Sequence, residues 1–524
     1  MRNVDREEVR ALAVQAGFGL DEREVDGFVE LMATQIETLK EFEALSEPAP
    51  DTFPAVRVVG ARPSREEDPL NAVIRHVRVT GAGEGVLAGK RIGLKDLIAV
   101  AGVPMTCGSR VLQGFVPDED SVLTRRLLEA GGEIVAMLNM DDMAFSGGGE
   151  TSAFGAIRNP FDIERTASGS SGGSAAALAY DDIDITYGTD QGGSIRLPAA
   201  WCGVLGLKPT YGLVPYTGIV PLDRAFDHVG PLATTAEDLA RGLEAVAGYD
   251  PSDPRQQPGC TAGSYVDAVR QAPESFAGLR VGVLAEGFPA ARPDSPPGTA
   301  ETNEAVRGVI DQLAAAGARI TDVSIPEHAL GQQMVFVALV EGSSAMLAAH
   351  GNGYHAKGRY DVALARALGP ALKASGSELP PTVKLTGMLG AYMRNEQFGS
   401  LYGRAMNLAP RITDAFDRAL ADVDVLVMPT ATHTAHKAAP DAGLAEHVLR
   451  GWTMLANSPS TNVSGHPAIS IPAAVADGLP VGVQFVAPHF ADDRLISVAA
   501  TWEALHGWHP VPTISPTRLT KEQQ

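Results

Sequence analysis

What this chain of 524 residues has little of narrows its class first. It has three cysteines, Cys107, Cys202 and Cys260, too few for a disulfide framework and in no metal-ligand spacing. Cys107 and Cys202 stand among apolar or small residues, the setting of inert buried thiols. No stretch approaches the ~18 consecutive apolar residues of a membrane-spanning helix. The opening Met1-Arg2-Asn3-Val4-Asp5-Arg6-Glu7-Glu8 lacks the apolar core of a signal peptide, so a cytoplasmic location is expected. Positive charge is in deficit: 42 Lys and Arg against 63 Asp and Glu give −21. Such a surface repels phosphate backbones and anionic headgroups, which argues against nucleic-acid and membrane partners. The twelve histidines form no His-Glu-x-x-His pair and have no cysteine cluster beside them, so no metal and no cofactor is expected.

What is present reads as α/β. Residues Asp5 to Leu45 carry two helical patterns, with Val9, Leu12, Ala13 and Ala16 on one face and Val25, Phe28, Val29 and Met32 on the next. Gly17-Phe18-Gly19 separates them, and a Pro-rich connector, Glu47-Pro48-Ala49-Pro50 to Pro63, follows. This gives an N-terminal helical extension and linker over 1–62 and a catalytic domain over 63–524. Within the domain, 65–240 and 420–510 form the core and about 250–420 a variable, substrate-shaping region. Strand-like runs at Arg91–Leu94, Glu133–Met137, Ile183–Tyr187, Leu279–Leu284, Arg319–Val323, Val423–Met428 and Pro467–Pro472 alternate with helical patterns at Leu123–Ala130, Ala175–Ala179 and Asn303–Ala316. The alternation predicts a mixed, mostly parallel twisted sheet with helices on both faces.

Three short segments carry candidate chemistry. They are Gly93-Leu94-Lys95-Asp96 at a strand end, Ser168-Gly169-Ser170-Ser171-Gly172-Gly173-Ser174 before an Ala-rich helix, and Gly188-Thr189-Asp190-Gln191-Gly192-Gly193-Ser194-Ile195-Arg196 after a strand. Singly, each has a plain reading as a flexible turn or a solvated charge. Neither Gly/Ser cluster matches a phosphate-loop or dinucleotide fingerprint. Together they fit acyl transfer. A serine hydroxyl attacks only when a base takes its proton, and the Gly-x-Ser-x-Gly elbow that pairs serine with histidine is absent around Ser194. A lysine serves if burial lowers its pKa from about 10.4 to nearer 7, a shift of roughly 4 kcal/mol. A second serine relays the proton where the lysine cannot reach. The glycines before Ser194 let consecutive backbone N–H groups aim at one point, making Gln191, Gly192, Gly193 and Ser194 candidates for an oxyanion hole.

These segments resemble the amidase signature family: a Lys-Asp strand end, a Ser-Ser-Gly-Gly loop, and Asp-x-Gly-Gly-Ser-Ile-Arg. The resemblance continues through Gly206-Leu207-Lys208-Pro209-Thr210-Tyr211-Gly212, Asp227-His228-Val229-Gly230-Pro231-Leu232 and Gly478-Leu479-Pro480-Val481-Gly482-Val483-Gln484. It implies the family's α/β/α fold and a Ser194–Ser170–Lys95 triad in which Ser170 adjoins a cis peptide bond. It implies loop-bracing roles for Asp190 and Arg196, with Ser171 a supporting hydrogen bonder near the lysine. Ala144, Phe145, Ser146, Gly147 and Gly148 resemble the family's substrate-facing loop. Ser168 departs from the glycine usual there, two residues before the relay serine. His228 reads as structural. The N-terminal helices with Gln191 are similar to those of bacterial amidases that dimerise through such a segment, which makes a homodimer the expected assembly.

The implied activity is cofactor-free cleavage of a small aliphatic or aryl amide, with esters and carbamates as further substrates. The alternative within the family is the ammonia-supplying subunit of an aminoacyl-tRNA amidotransferase. A non-catalytic scaffold fits less well, because all three reactive side chains are present. Met334, Phe336, Met388, Tyr392, Met393 and Trp452 are candidates to line the pocket, and at helical spacing they equally fit plain core.

Overall fold

The computed structural model describes residues 2–48, 51–292, 295–508 and 510–514. Ala49 and Pro50 of the Pro-rich connector lie outside the described residues. The chain divides into two compact units, residues 1–51 and 52–524.

In the first unit the helices Arg6–Ala16 and Glu22–Glu43 each open on a capping box, Asp5 with Glu8 and Asp21 with Glu24. Each aspartate accepts the N–H three residues on, and each glutamate returns the bond. Gly17, at φ +78°, closes the first helix in the left-handed region. Arg10 pairs with Glu22 at 2.7 Å across the hairpin. The apolar stripe is narrower than the spacing predicts. Val9, Ala13, Val25 and Ile36 are buried, whereas Leu12 and Phe28 are exposed.

The second unit is built on one sheet. Among the described residues its strands are β1 (Arg57–Val59), β2 (Val73–Thr80), β3 (Arg91–Lys95), β4 (Glu133–Leu138), β5 (Ile185–Asp190), β6 (Leu205–Lys208), β7 (His228–Ala233), β8 (Arg280–Leu284), β9 (Arg319–Val323), β10 (Val425–Pro429), β11 (Ala468–Ala476) and β12 (Leu479–Val486). They lie in the order β1-β2-β4-β3-β5-β7-β6-β11-β12-β10-β8-β9. The sheet is mixed, but the expectation that it is mostly parallel fails. Seven of the eleven pairings are antiparallel. One cause is local: β11 and β12 form a hairpin whose turn, Asp477-Gly478, has φ +51° and +76°, the positive pair that an Asp-Gly turn supplies.

Both sheet faces are buried. Along β10, Val425 and Val427 enter one apolar cluster while Leu426 and Met428 enter another, as the period-two alternation of a strand requires. The parallel pairings are confined to two blocks. In one, β3 lies between β4 and β5 and runs parallel to both. The carboxyl ends of these three strands therefore open on the same edge, the place where an α/β sheet forms a crevice. That edge receives Lys95, the 139–148 segment and the 191–194 turn.

Candidate active site

Lys95 is the last residue of β3 and is fully buried. Its Nζ is hydrogen-bonded to Ser170 Oγ at 2.8 Å and to Thr189 Oγ1 at 2.9 Å. Burial pulls the ammonium down from its ordinary value to about 7, against the opposing pull of the Asp141, Asp190 and Asp227 carboxylates. Desolvation wins because none of these carboxylates touches it. Nothing in the sequence singles out Thr189.

Ser170 is buried and follows a cis Gly169–Ser170 peptide bond. A Cβ at Gly169 would fall 1.8 Å from Asp141 Oδ2, so only glycine fits there. Ser168, where glycine is usual, has φ +66°. Its Oγ donates to the Gly147 carbonyl at 2.9 Å, and the Gly169 N–H donates to that same oxygen at 2.7 Å. The substituted hydroxyl thus ties the Ser170 loop to the 144–148 segment. Ser171 is a supporting hydrogen bonder one residue removed from the lysine. Its Oγ donates to the Thr189 carbonyl at 3.1 Å and accepts the Thr189 N–H at 3.2 Å. It braces the residue that holds the lysine and not the lysine itself.

The 190–196 turn is fixed by one buried carboxylate. Asp190 takes both arms of Arg196 at 2.9 and 3.0 Å, the Ile195 N–H at 3.1 Å, the Gly193 N–H at 2.7 Å and the Asn462 amide at 2.8 Å. The Arg196 guanidinium and these bonds hold Asp190 well below the usual carboxylate range, although burial alone would raise it. Gly193 therefore drops out of the expected oxyanion hole, because its N–H is already spent on Asp190. Among the described residues the N–H groups of Gln191, Gly192 and Ser194 have no hydrogen-bond acceptor. Ser194 is partly exposed, and its carbonyl accepts the Ser171 N–H at 3.2 Å.

Ser194 opens on a narrow cleft. Its wall is Ala144 to Gly147, Gln191, Gly192, Leu222, Val335, Leu339, Gly451, Trp452 and Leu455. Gly148 stands behind it, its N–H donated to Ser146 Oγ at 3.0 Å. The loop is held from two sides. Asp141 accepts the Gly149 and Thr151 N–H groups, both at 2.9 Å, and the Gly147 N–H donates to the Gly451 carbonyl at 2.8 Å. Of the pocket candidates, only Trp452 lines the cleft. Met334 and Met393 are core, Met388 and Tyr392 face solvent, and Phe336 stacks edge-on against Trp452 at 5.8 Å. The helical register places Val335 and Leu339, four apart, on the wall instead. His228 is buried in β7 with Nδ1 bonded to the Phe226 carbonyl at 2.7 Å.

The model of the Amidase family matches residues 71–496. The chain is 38% identical to the enantioselective amidase of Rhodococcus rhodochrous over 87% of each sequence. It is 36% identical to a glutamyl-tRNA(Gln) amidotransferase subunit of Synechococcus sp. (strain CC9902), over 90% of this chain and 92% of that one. The native peptide amidase from Stenotrophomonas maltophilia superposes with a TM-score of 0.64 at 28% identity, covering 80% of this chain and 83% of its own. Fold, family match and relatives agree: the chain belongs to the amidase signature family.

Proposed function

We propose that this protein is a serine hydrolase that cleaves the C–N bond of small uncharged amides through an acyl-enzyme on Ser194. The observation that carries the reading is the buried Lys95–Ser170 hydrogen bond beside a cleft on whose wall Ser194 stands. With Lys95 neutral, its lone pair accepts from Ser170 while an N–H goes to Thr189. Ser170 in turn takes the proton of Ser194 as that hydroxyl attacks the carbonyl. The unpaired N–H groups of Gln191, Gly192 and Ser194 are the donors available to the oxyanion. The relay then returns the proton to the leaving amine, and water repeats the sequence on the acyl-enzyme. Esters and carbamates present the same carbonyl and follow the same route.

The cleft supports an amidase over an ammonia-supplying role. Among the described residues lining it none is charged. Free glutamine would bring an ammonium and a carboxylate into it without counter-charges, which is costly to bury. An apolar acyl or aryl group matches Phe145, Leu222, Val335, Leu339 and Trp452. The strong identity to an amidotransferase component keeps ammonia supply as the second reading.

The test is a hydrolysis panel on the purified protein against Ser194→Ala: a small aliphatic amide, a nitroanilide, a nitrophenyl ester, an aryl carbamate and glutamine. Serine-dependent turnover of the anilide or aliphatic amide, with glutamine inert, is the expected result. Activity on glutamine alone would move the assignment to the second reading.

A further inference from the structure

Away from the cleft, three side chains from separate parts of the second unit meet. Asp417 lies on the helix Ser400–Asp422, His466 just before β11, and His489 shortly after β12. One ligand-capable atom from each lies within 4.8 Å of the other two. His466 Nε2 is 3.0 Å and His489 Nδ1 is 3.6 Å from Asp417 Oδ1. Two ligands at about 2.0–2.1 Å from a tetrahedral zinc ion stand about 3.3 Å apart, between these two separations.

The far ring nitrogens are tied down. His489 Nε2 bonds the Ser464 carbonyl at 2.9 Å, and His466 Nδ1 bonds Ser464 Oγ at 3.0 Å. A carbonyl only accepts, so Nε2 of His489 carries a hydrogen and Nδ1 is the ring nitrogen that faces Asp417. A carbonyl bond to the far nitrogen is also how metal-bound imidazoles are oriented. Gly465 makes the turn at φ +78°, where a Cβ would press within 3.3 Å of His489 Nε2. His466 is fully buried. Asp417 is exposed and His489 half-buried, which leaves an open side for ion entry and a water ligand.

We infer that Asp417, His466 and His489 form a binding site for one divalent transition-metal ion of the zinc type. Two imidazoles and one carboxylate favour such borderline ions over magnesium or calcium. The ion would pin the Ser400–Asp422 helix to the segments at the open ends of the β11–β12 hairpin. It would act on stability and not on the reaction, because none of the three residues lines the cleft.

The experiment uses the untagged full-length protein, stripped with a chelator and dialysed against zinc chloride above the ordinary imidazole pKa. Metal content, the thermal midpoint and the visible spectrum with cobalt(II) are then measured. The expected result is one ion per chain, a raised midpoint and a cobalt spectrum of low coordination number. His489→Ala and Asp417→Asn should each weaken zinc binding at least tenfold while amide hydrolysis is unchanged. No zinc uptake by the unaltered protein overturns the proposal. Equal uptake by both variants overturns it as well.

Discussion

Lys95 Nζ is held by two hydroxyls, Ser170 at 2.8 Å and Thr189 at 2.9 Å, and the second belongs to the strand that delivers Ser194. Thr189 therefore positions the lysine without facing the cleft. Thr189→Val removes the acceptor while keeping the shape, and should lower kcat about fivefold with KM little changed, as the loss of one hydrogen bond of ~1 kcal/mol implies. Thr189→Ser should restore most of the rate. Steady-state kinetics on an anilide checks both.

The depressed pKa of Lys95 has a consequence for stability. An unfolded lysine holds its proton up to its ordinary value of 10.5, whereas the folded one releases it at about 7. Between these values the unfolded state binds more protons, so this residue's contribution to stability rises with pH across the window. The penalty is full below about 7 and gone above the unfolded value. Lys95→Met lacks the penalty. Its thermal midpoint relative to the unaltered protein should be higher at neutral pH than near pH 10; a gap independent of pH would rule out the assignment.

Asp190 and Arg196 form a fully buried pair that also fixes the Gly193 and Ile195 N–H groups on either side of Ser194. Asp190→Ala leaves the guanidinium buried without its partner, a cost of about 3–5 kcal/mol. Lower soluble yield, a lower thermal midpoint and loss of turnover should appear together. A variant of normal stability that had lost activity alone would assign Asp190 a part in the chemistry itself.

Trp452 lines the cleft, packs on Phe336 and donates to the Phe145 carbonyl at 3.4 Å. Trp452→Ala should raise KM for aryl amides about tenfold, in keeping with about 1–2 kcal/mol of lost apolar and aromatic contact. Small aliphatic amides should be affected less. Comparing kcat/KM for the two substrate classes checks the claim.

How much of the fold and site is legible in the sequence follows from where each signal lies along the chain. The three motif segments are contiguous, so their Lys, Ser and Gly/Ser content exposes them directly. Thr189 escapes notice because its role depends on strand neighbours. The register of β3 with β5 pairs Leu94 with Tyr187, which brings Thr189 diagonally beside Lys95, and no local pattern states that pairing. Gly193 looks like an oxyanion donor until its N–H is seen to be claimed by a side chain three residues earlier. The cleft wall is misjudged by size: Met334 and Phe336 draw attention, yet Val335 between them faces the cleft. Antiparallel pairings are undercounted because β2 carries charged residues, β6 has four residues and β7 holds Gly230 and Pro231, and only the β11–β12 hairpin advertises itself through Asp477-Gly478. The Asp417–His466–His489 cluster is spread over 417–489 and has no motif at all.

The proposed relay depends on a buried, neutral lysine driving Ser194 through Ser170. The pH dependence of kcat/KM on an anilide, measured for the unaltered protein and for Lys95→Ala, decides whether it does. The rate of the unaltered protein should fall as pH drops through about 7, where Lys95 gains its proton, and the variant should be at least a thousandfold slower throughout. Near-normal turnover by Lys95→Ala at about pH 8 would refute the relay.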